Sequence, residues 1–137
     1  MVVDASVIVS RLVTRDVNHE ISRRWLDRHV ADGGLIVAPA VLLPEVAGAI
    51  TRRTGRRRLA RRAIAALLRL PELRLVTIDA ALAEVAARLA GDLKLRGADA
   101  LYVATAARLR LALVTWDVEQ QARGGAEVAV VSPSAER

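Results

Sequence analysis

The sequence predicts an α/β fold, a three-layer α/β/α sandwich around a central, mainly parallel sheet. Three observations predict it. Short apolar runs, among them Val2-Val3, Leu35 to Ala38 and Leu111 to Thr115, alternate with longer stretches of helical period. Parallel strands require crossover connections and bury both faces, which suits apolar runs placed between helices. The 137 residues, 53% hydrophobic and 26% charged, are enough for one domain with one core and lie far from the composition of disorder. No Phe occurs, so that core must be built from Ala, Leu and Val.

Each element has a local justification. Met1 to Asp4 reads as a short buried strand, and Ala5 to Val13 as a helix capped by Asp4 or Ser6. A second helix runs from about Asn18 to Ala31, because Ile21, Trp25, Leu26 and Val30 recur near the helical period and Asp32-Gly33-Gly34 ends it. Leu35 to Ala38 is the next strand. From Pro39 a helix carrying Leu42, Val46, Ala49 and Ile50 extends to about Arg53; Thr54-Gly55 breaks it, and another helix reaches Leu70 to complete a hairpin. Pro71-Glu72 turns into the strand Arg74 to Thr77, Asp79 caps a helix to about Ala90, and a further helix spans Asp99 to Arg110. Leu111 to Thr115 is a strand, followed by a short polar helix and a last strand, Glu127 to Val131. Residues 1–131 are expected to form a single domain and Ser132 to Arg137 a small, polar, frayed tail.

Charge and composition narrow the function classes. Lys and Arg total 21 against 15 Asp and Glu, a net charge of +6 that favours polyanionic partners. The densest basic cluster, Arg52, Arg53, Arg56, Arg57, Arg58, Arg61 and Arg62, falls on the helical hairpin. It is a candidate RNA-backbone track, giving salt-dependent affinity without base identity. A solvated helical face, or a surface for an acidic protein, is the plainer account of the same arginines. Cysteine is absent, which removes disulfides, thiolate metal sites and cysteine nucleophiles. The first apolar stretch, Val7 to Val13, is interrupted by Ser10-Arg11, and no run approaches the roughly 18 to 20 apolar residues of a membrane span. A soluble cytoplasmic protein with no membrane partner is expected. Trp25 and Tyr102 read as core residues, Trp116 as core or as a contact for a base, and His19 and His29 as surface residues near the second helix.

Four carboxylates stand out by position. Asp4, Glu45, Asp99 and Asp117 each sit where an apolar segment ends or a helix is about to begin. In open α/β sheets ligands gather outside the carboxyl ends of the strands, where Asp4 and Asp117 fall. Glu45 and Asp99 belong to first helical turns, whose positive dipole ends partly offset their charge. Taken singly, each acid is an ordinary helix cap or first-turn residue. Together they predict one acidic pocket, and carboxylates so crowded repel one another unless a divalent cation neutralises them. Mg²⁺ or Mn²⁺ would suit such oxygen donors and leave positions open for phosphate and water, so metal-assisted phosphodiester hydrolysis is the leading expectation.

The same residues resemble a PIN domain, and more narrowly the VapC-type toxins of bacterial and archaeal toxin–antitoxin pairs. Val2-Val3-Asp4-Ala5-Ser6 is similar to that family's opening strand and first acid, and Pro44-Glu45-Val46 to its second acidic site. Ala98-Asp99-Ala100-Leu101-Tyr102-Val103-Ala104 matches the third, and Leu113-Val114-Thr115-Trp116-Asp117 the fourth. The resemblance implies a PIN-like fold and an endoribonuclease whose metal-binding quartet is Asp4, Glu45, Asp99 and Asp117. Ser6 and Thr115 would support it, Ser6 by bonding Asp4 or a metal-held water and Thr115 by orienting Asp117. A fifth acid is not matched, since only Glu119 and Gln120 follow loosely. The resemblance also implies a homodimer, an RNA substrate, and a VapB-like antitoxin docking between the first helices and the Ala40 to Leu70 hairpin.

Other readings of the four acids are weaker. A phosphotransfer domain also places Asp after the first strand, but it requires a pocket lysine, and the only lysine is Lys94. A PIN nuclease of RNA maturation outside any toxin pair, and a non-catalytic PIN docking module for RNA or protein, share the fold and differ in use.

Overall fold

The computed structural model describes residues 1–135. Its strands are Val2–Val3 (β1), Ile36–Pro39 (β2), Leu73–Val76 (β3), Leu113–Val114 (β4) and Val130–Val131 (β5). Its helices are Ala5–Leu12 (α1), His19–Ala31 (α2), Leu42–Thr54 (α3), Arg57–Leu68 (α4), Ala80–Leu93 (α5) and Gly97–Leu109 (α6), with a π-helical segment at Gln120–Gly124. The strands form one sheet in the order β3-β2-β1-β4-β5, with every adjacent pair parallel. Helices flank it, giving the expected α/β/α architecture.

Strand order sets where a ligand can bind. From β1 the chain adds β2 and β3 on one side, then crosses to place β4 and β5 on the other. The reversal opens a crevice beyond the carboxyl ends of β1 and β4. Register fixes its walls: Val2 lies opposite Val37 and Leu113, and Val3 opposite Val114. The Asp4 amide continues the ladder by donating to the Val114 carbonyl at 2.9 Å, so Asp4 and Thr115 leave the sheet side by side.

The central helix is α6, which packs on β1, β2 and β4. Ala100, Ala104 and Ala106 are fully buried, and their small side chains let the helix lie close to the strands. Tyr102, also fully buried, fills the space that the absence of Phe leaves for a large ring. On α3, Leu42, Val46 and Ile50 recur every fourth residue and reach zero exposure; each contributes roughly 1.5–3 kcal/mol through burial. Trp25 is buried as expected and stacks on His29 with ring centroids 5.0 Å apart. Both histidines are partly exposed and each is tied to the backbone. His29 Nε2 donates to the Leu35 carbonyl at 2.9 Å, and His19 Nδ1 to that of Ser10 at 3.0 Å.

Element existence matches the sequence reading, and several boundaries move. Pro39 closes β2 instead of opening a helix: it lacks an N–H, and the next amide, Ala40, takes up the bonding to the Val76 carbonyl. The α5 helix runs on to Leu93 and ends with Lys94 in left-handed conformation, φ 54°. The last strand shrinks to two residues, because the Glu127 and Val128 amides both turn back to the Gly124 carbonyl. Ser132 to Ala135 form a hydrogen-bonded turn that buries Pro133; positions 136 and 137 lie outside the described residues. No helix among the described residues is long and apolar enough to cross a membrane.

Candidate active site

Beyond β1 and β4 lies an open cleft of about 460 Å³, lined by Asp4, Ser6, Glu45, Arg52, Arg53, Arg96, Trp116 and Asp117 among others. Three of the four predicted acids, Asp4, Glu45 and Asp117, line it, and the fourth, Asp99, sits beside it, bonded to Arg96 and to the buried Gln120 amide. Asp4 caps α1, its Oδ2 accepting from the Ser6 amide at 2.9 Å. Glu45 and Asp99 stand in the first turns of α3 and α6. Asp117 follows β4, and its Oδ1 accepts from the Glu119 and Gln120 amides at 2.8 and 2.9 Å, so it opens the π-helical turn.

Thr115 joins two of these acids. Its hydroxyl donates to Asp4 Oδ2 at 3.2 Å and accepts from the Asp117 amide at 3.0 Å. With that proton committed to Asp4, the Ser6 hydroxyl donates to Thr115 Oγ1, 3.3 Å away, and itself accepts from the Trp116 amide at 3.0 Å. Trp116 lines the cleft half-buried. Its indole N–H donates to Ser22 Oγ at 2.8 Å, Ser22 bonds Ser10 Oγ at 2.6 Å, and Ser10 donates to the Val7 carbonyl.

Two further residues complete the site: Gln120, which the sequence offered only as a loose candidate near the missing fifth acid, and Arg96, which it did not single out. Gln120, fully buried, points its amide nitrogen at Oδ1 of both Asp4 and Asp99, at 3.3 and 3.2 Å. Arg96 bridges Asp99 and Asp117, with Nε donating to Asp99 Oδ2 at 3.0 Å and Nη2 to Asp117 Oδ2 at 3.2 Å. A signal existed for each. Arg96 is three residues before Asp99, one helical turn away, and Gln120 is three residues after Asp117, inside the turn that Asp117 caps. At the rim, Asp16 pairs with Arg53 and ties the α1–α2 loop to α3.

Crowding and burial act on the acids. Desolvation raises the Glu45 carboxyl, and the Asp4 and Asp99 charges raise it further, while Tyr102 and Arg96 offset part of the rise. Burial likewise raises Asp99 despite the Arg96 hydrogen bond. The Tyr102 phenol, buried and facing the Asp4 and Glu45 charges, is pushed so far up that it stays protonated. The Tyr102 hydroxyl faces Glu45 closely enough to lower its carboxyl, yet neither that hydroxyl nor the buried Glu45 Oε1 has a partner in full hydrogen-bond geometry.

These donors fit a hard divalent cation. All are carboxylate oxygens, Asp4 and Asp99 already converge on one Gln120 amide, and Glu45 Oε1 is a buried acceptor lacking a donor. As they stand, no three acids among the described residues converge closely enough to cage an ion. Arg96 holds Asp99 and Asp117, and Gln120 lies between Asp4 and Asp99, so metal loading would require these side chains to give way.

The basic cluster divides in two. Arg52 and Arg53 line the acidic cleft, whereas Arg56, Arg57, Arg58 and Arg62 border a separate depression at the start of α4, with Leu59.

A parallel α/β sandwich with acids gathered at its switch point defines a class, and the family model for the PIN domain matches residues 1–125. The chain belongs to the PIN domain family. Its fold is similar to VapC20 of Mycobacterium tuberculosis, a sarcin–ricin loop cleaving toxin, with TM-score 0.74 and 21% identity over 88% of this chain and 92% of that one. It is also similar to VapBC2 from Rickettsia felis, solved bound to a DNA fragment from its promoter, with TM-score 0.72, 12% identity and 96% of each chain covered. A toxin–antitoxin complex from Klebsiella pneumoniae aligns with TM-score 0.61, 20% identity and 96% of each chain covered. No curated protein matches the sequence.

Proposed function

We propose that this chain is a Mg²⁺- or Mn²⁺-dependent endoribonuclease and the toxin of a toxin–antitoxin pair. The observation that carries the reading is the carboxylate set at the switch point: Asp4, Glu45 and Asp117 line the cleft, Asp99 is held beside them by Arg96 and Gln120, and one buried Glu45 oxygen lacks a donor. Asp4, Asp99, Asp117 and Glu45 would hold the ion. Bound there, a divalent ion would lower the pKa of water, polarise a phosphoryl oxygen and stabilise charge on the leaving oxygen. Thr115 and Ser6 keep Asp4 and Asp117 in register, and Gln120 fixes Asp4 relative to Asp99. Arg52, at the cleft mouth, would hold the RNA backbone near these acids.

Partners follow from the same reading. The likeness to toxin–antitoxin structures supports a VapB-like antitoxin partner, and a homodimer is proposed from the family resemblance alone. The cleft is open to solvent, so an antitoxin segment could cover it directly.

Cleavage of total cellular RNA by the purified protein with Mg²⁺ or Mn²⁺, beside an EDTA control, tests the proposal. Asp4→Asn and Asp99→Asn should each lower the rate by at least about 100-fold, since asparagine keeps the shape and removes the charge. Metal-independent cleavage, or cleavage surviving in both variants, would sink it.

A further inference from the structure

Arg96 places a cation of the protein's own among the acids. It lies at the N-cap of α6, and its guanidinium bonds Oδ2 of Asp99 and of Asp117, carboxylates brought by two different elements. The bridge is not a packing necessity. The Arg96 side chain is 73% exposed, whereas those of Asp99 and Asp117 are 10% and 23% exposed. A long, solvated side chain thus reaches inward to neutralise two sheltered acids.

We infer that Arg96 is a resident counter-ion that competes with a divalent metal for Asp99 and Asp117, so that metal loads only as Arg96 swings out of the cleft. The inference rests on the metal-dependent reading above. Its physical basis is direct. Each Oδ2 lone pair engaged by the guanidinium is withdrawn from metal coordination, and since no three acids among the described residues form a ready cage, loading already requires the pocket to rearrange. Two crowded carboxylates without a metal still need positive charge nearby, and Arg96 supplies it at little cost because it never leaves water. Its attachment through one flexible side chain lets it release both acids in a single rotation without moving α6. Gln120 also occupies carboxylate oxygens, but it is neutral, fully buried and bonded to Oδ1 of Asp4 and Asp99, so its hold on the acids is the same in wild type and in a variant lacking the Arg96 charge.

The test is Mn²⁺ binding to the full chain without RNA, by calorimetry and by the electron paramagnetic resonance of free Mn²⁺. Wild type is compared with Arg96→Gln and with Arg108→Gln. Arg108 pairs with Asp79 outside the cleft, so its variant removes the same unit of charge elsewhere. Arg96→Gln should bind Mn²⁺ about five- to tenfold more tightly than wild type, the worth of two exposed ion pairs, and Arg108→Gln should match wild type. Thermal melts of the metal-free proteins confirm that both variants fold. Equal or weaker binding by Arg96→Gln, or equal tightening in both variants, would overturn the inference while leaving the nuclease reading intact. If wild type and Arg96→Gln both fail to bind Mn²⁺, the metal-dependent reading falls, and this inference with it.

Discussion

Glu45 shows most plainly what the pocket costs the metal-free fold. It is half-buried beside two other acids, with one oxygen lacking a donor, and burial raises its carboxyl above the ordinary value of 4.5. A raised acid favours its protonated form in the folded state. Its contribution to stability is therefore complete below pH 4.5 and lost as pH climbs through the raised folded value. Glu45→Gln should thus raise the melting temperature of metal-free protein at pH 7 by about 3 °C, a modest figure because solvent screens a half-exposed carboxylate. The gain should vanish below pH 4, and a melt series from pH 4 to pH 8 in EDTA reads both limbs. At this scale the sequence exposed the four acids, because an acid directly after an apolar run is anomalous. It hid their keepers. Arg96 is one of many arginines, and Gln120 follows a polar stretch, so only the turn opened by Asp117 reveals that Gln120 faces inward.

Among the elements, chain direction at helix ends determines where the cleft walls stand. Gly55 closes α3 in left-handed conformation, φ 68°, and turns the chain into α4, which carries the second group of arginines. A Cβ there would meet nothing within 4 Å, so the cost of Gly55→Ala is conformational alone, roughly 1 kcal/mol. Arg110 ends α6 with φ 54° although it carries a side chain. Arg110→Gly should therefore stabilise the fold by about 0.5–1 kcal/mol, the opposite sign at an equivalent position. Urea unfolding of both variants measures the pair, and a loss on Arg110→Gly would contradict the account. The Thr54-Gly55 break was legible from sequence because glycine announces it. The end of α5 was less so, since Lys94 adopts this conformation without the residue that signals it, whereas α6 ends within one residue of the expected Arg110. Strands of two residues likewise leave little periodic signal, so β5 was overextended to Glu127.

For the molecule as a whole, the net charge of +6 is unevenly used. Asp4, Asp16, Glu45 and Asp117 line the cleft together with Arg52, Arg53 and Arg96, so the acids there offset much of the positive field. The arginines around the α4 depression have no acid lining it with them. On the ribonuclease reading, an RNA strand would be drawn first to α4 and would reach the acids along the same hairpin through Arg52 and Arg53. Each phosphate neutralised on single-stranded RNA contributes about 0.7 to the slope of log affinity against log salt, so the contribution of α4 can be counted. Replacing Arg57, Arg58 and Arg62 together with glutamine should lower that slope by roughly 2 and weaken binding of a single-stranded oligoribonucleotide most at low salt. Fluorescence anisotropy in EDTA isolates the effect from cleavage. Because the substitutions leave Asp4, Glu45, Asp99 and Asp117 untouched, cleavage at saturating RNA should keep its rate while the RNA concentration needed for half-saturation rises. An unchanged salt slope would instead assign α4 to a partner other than RNA, and leave Arg52 and Arg53 as the hairpin's contribution to holding the substrate.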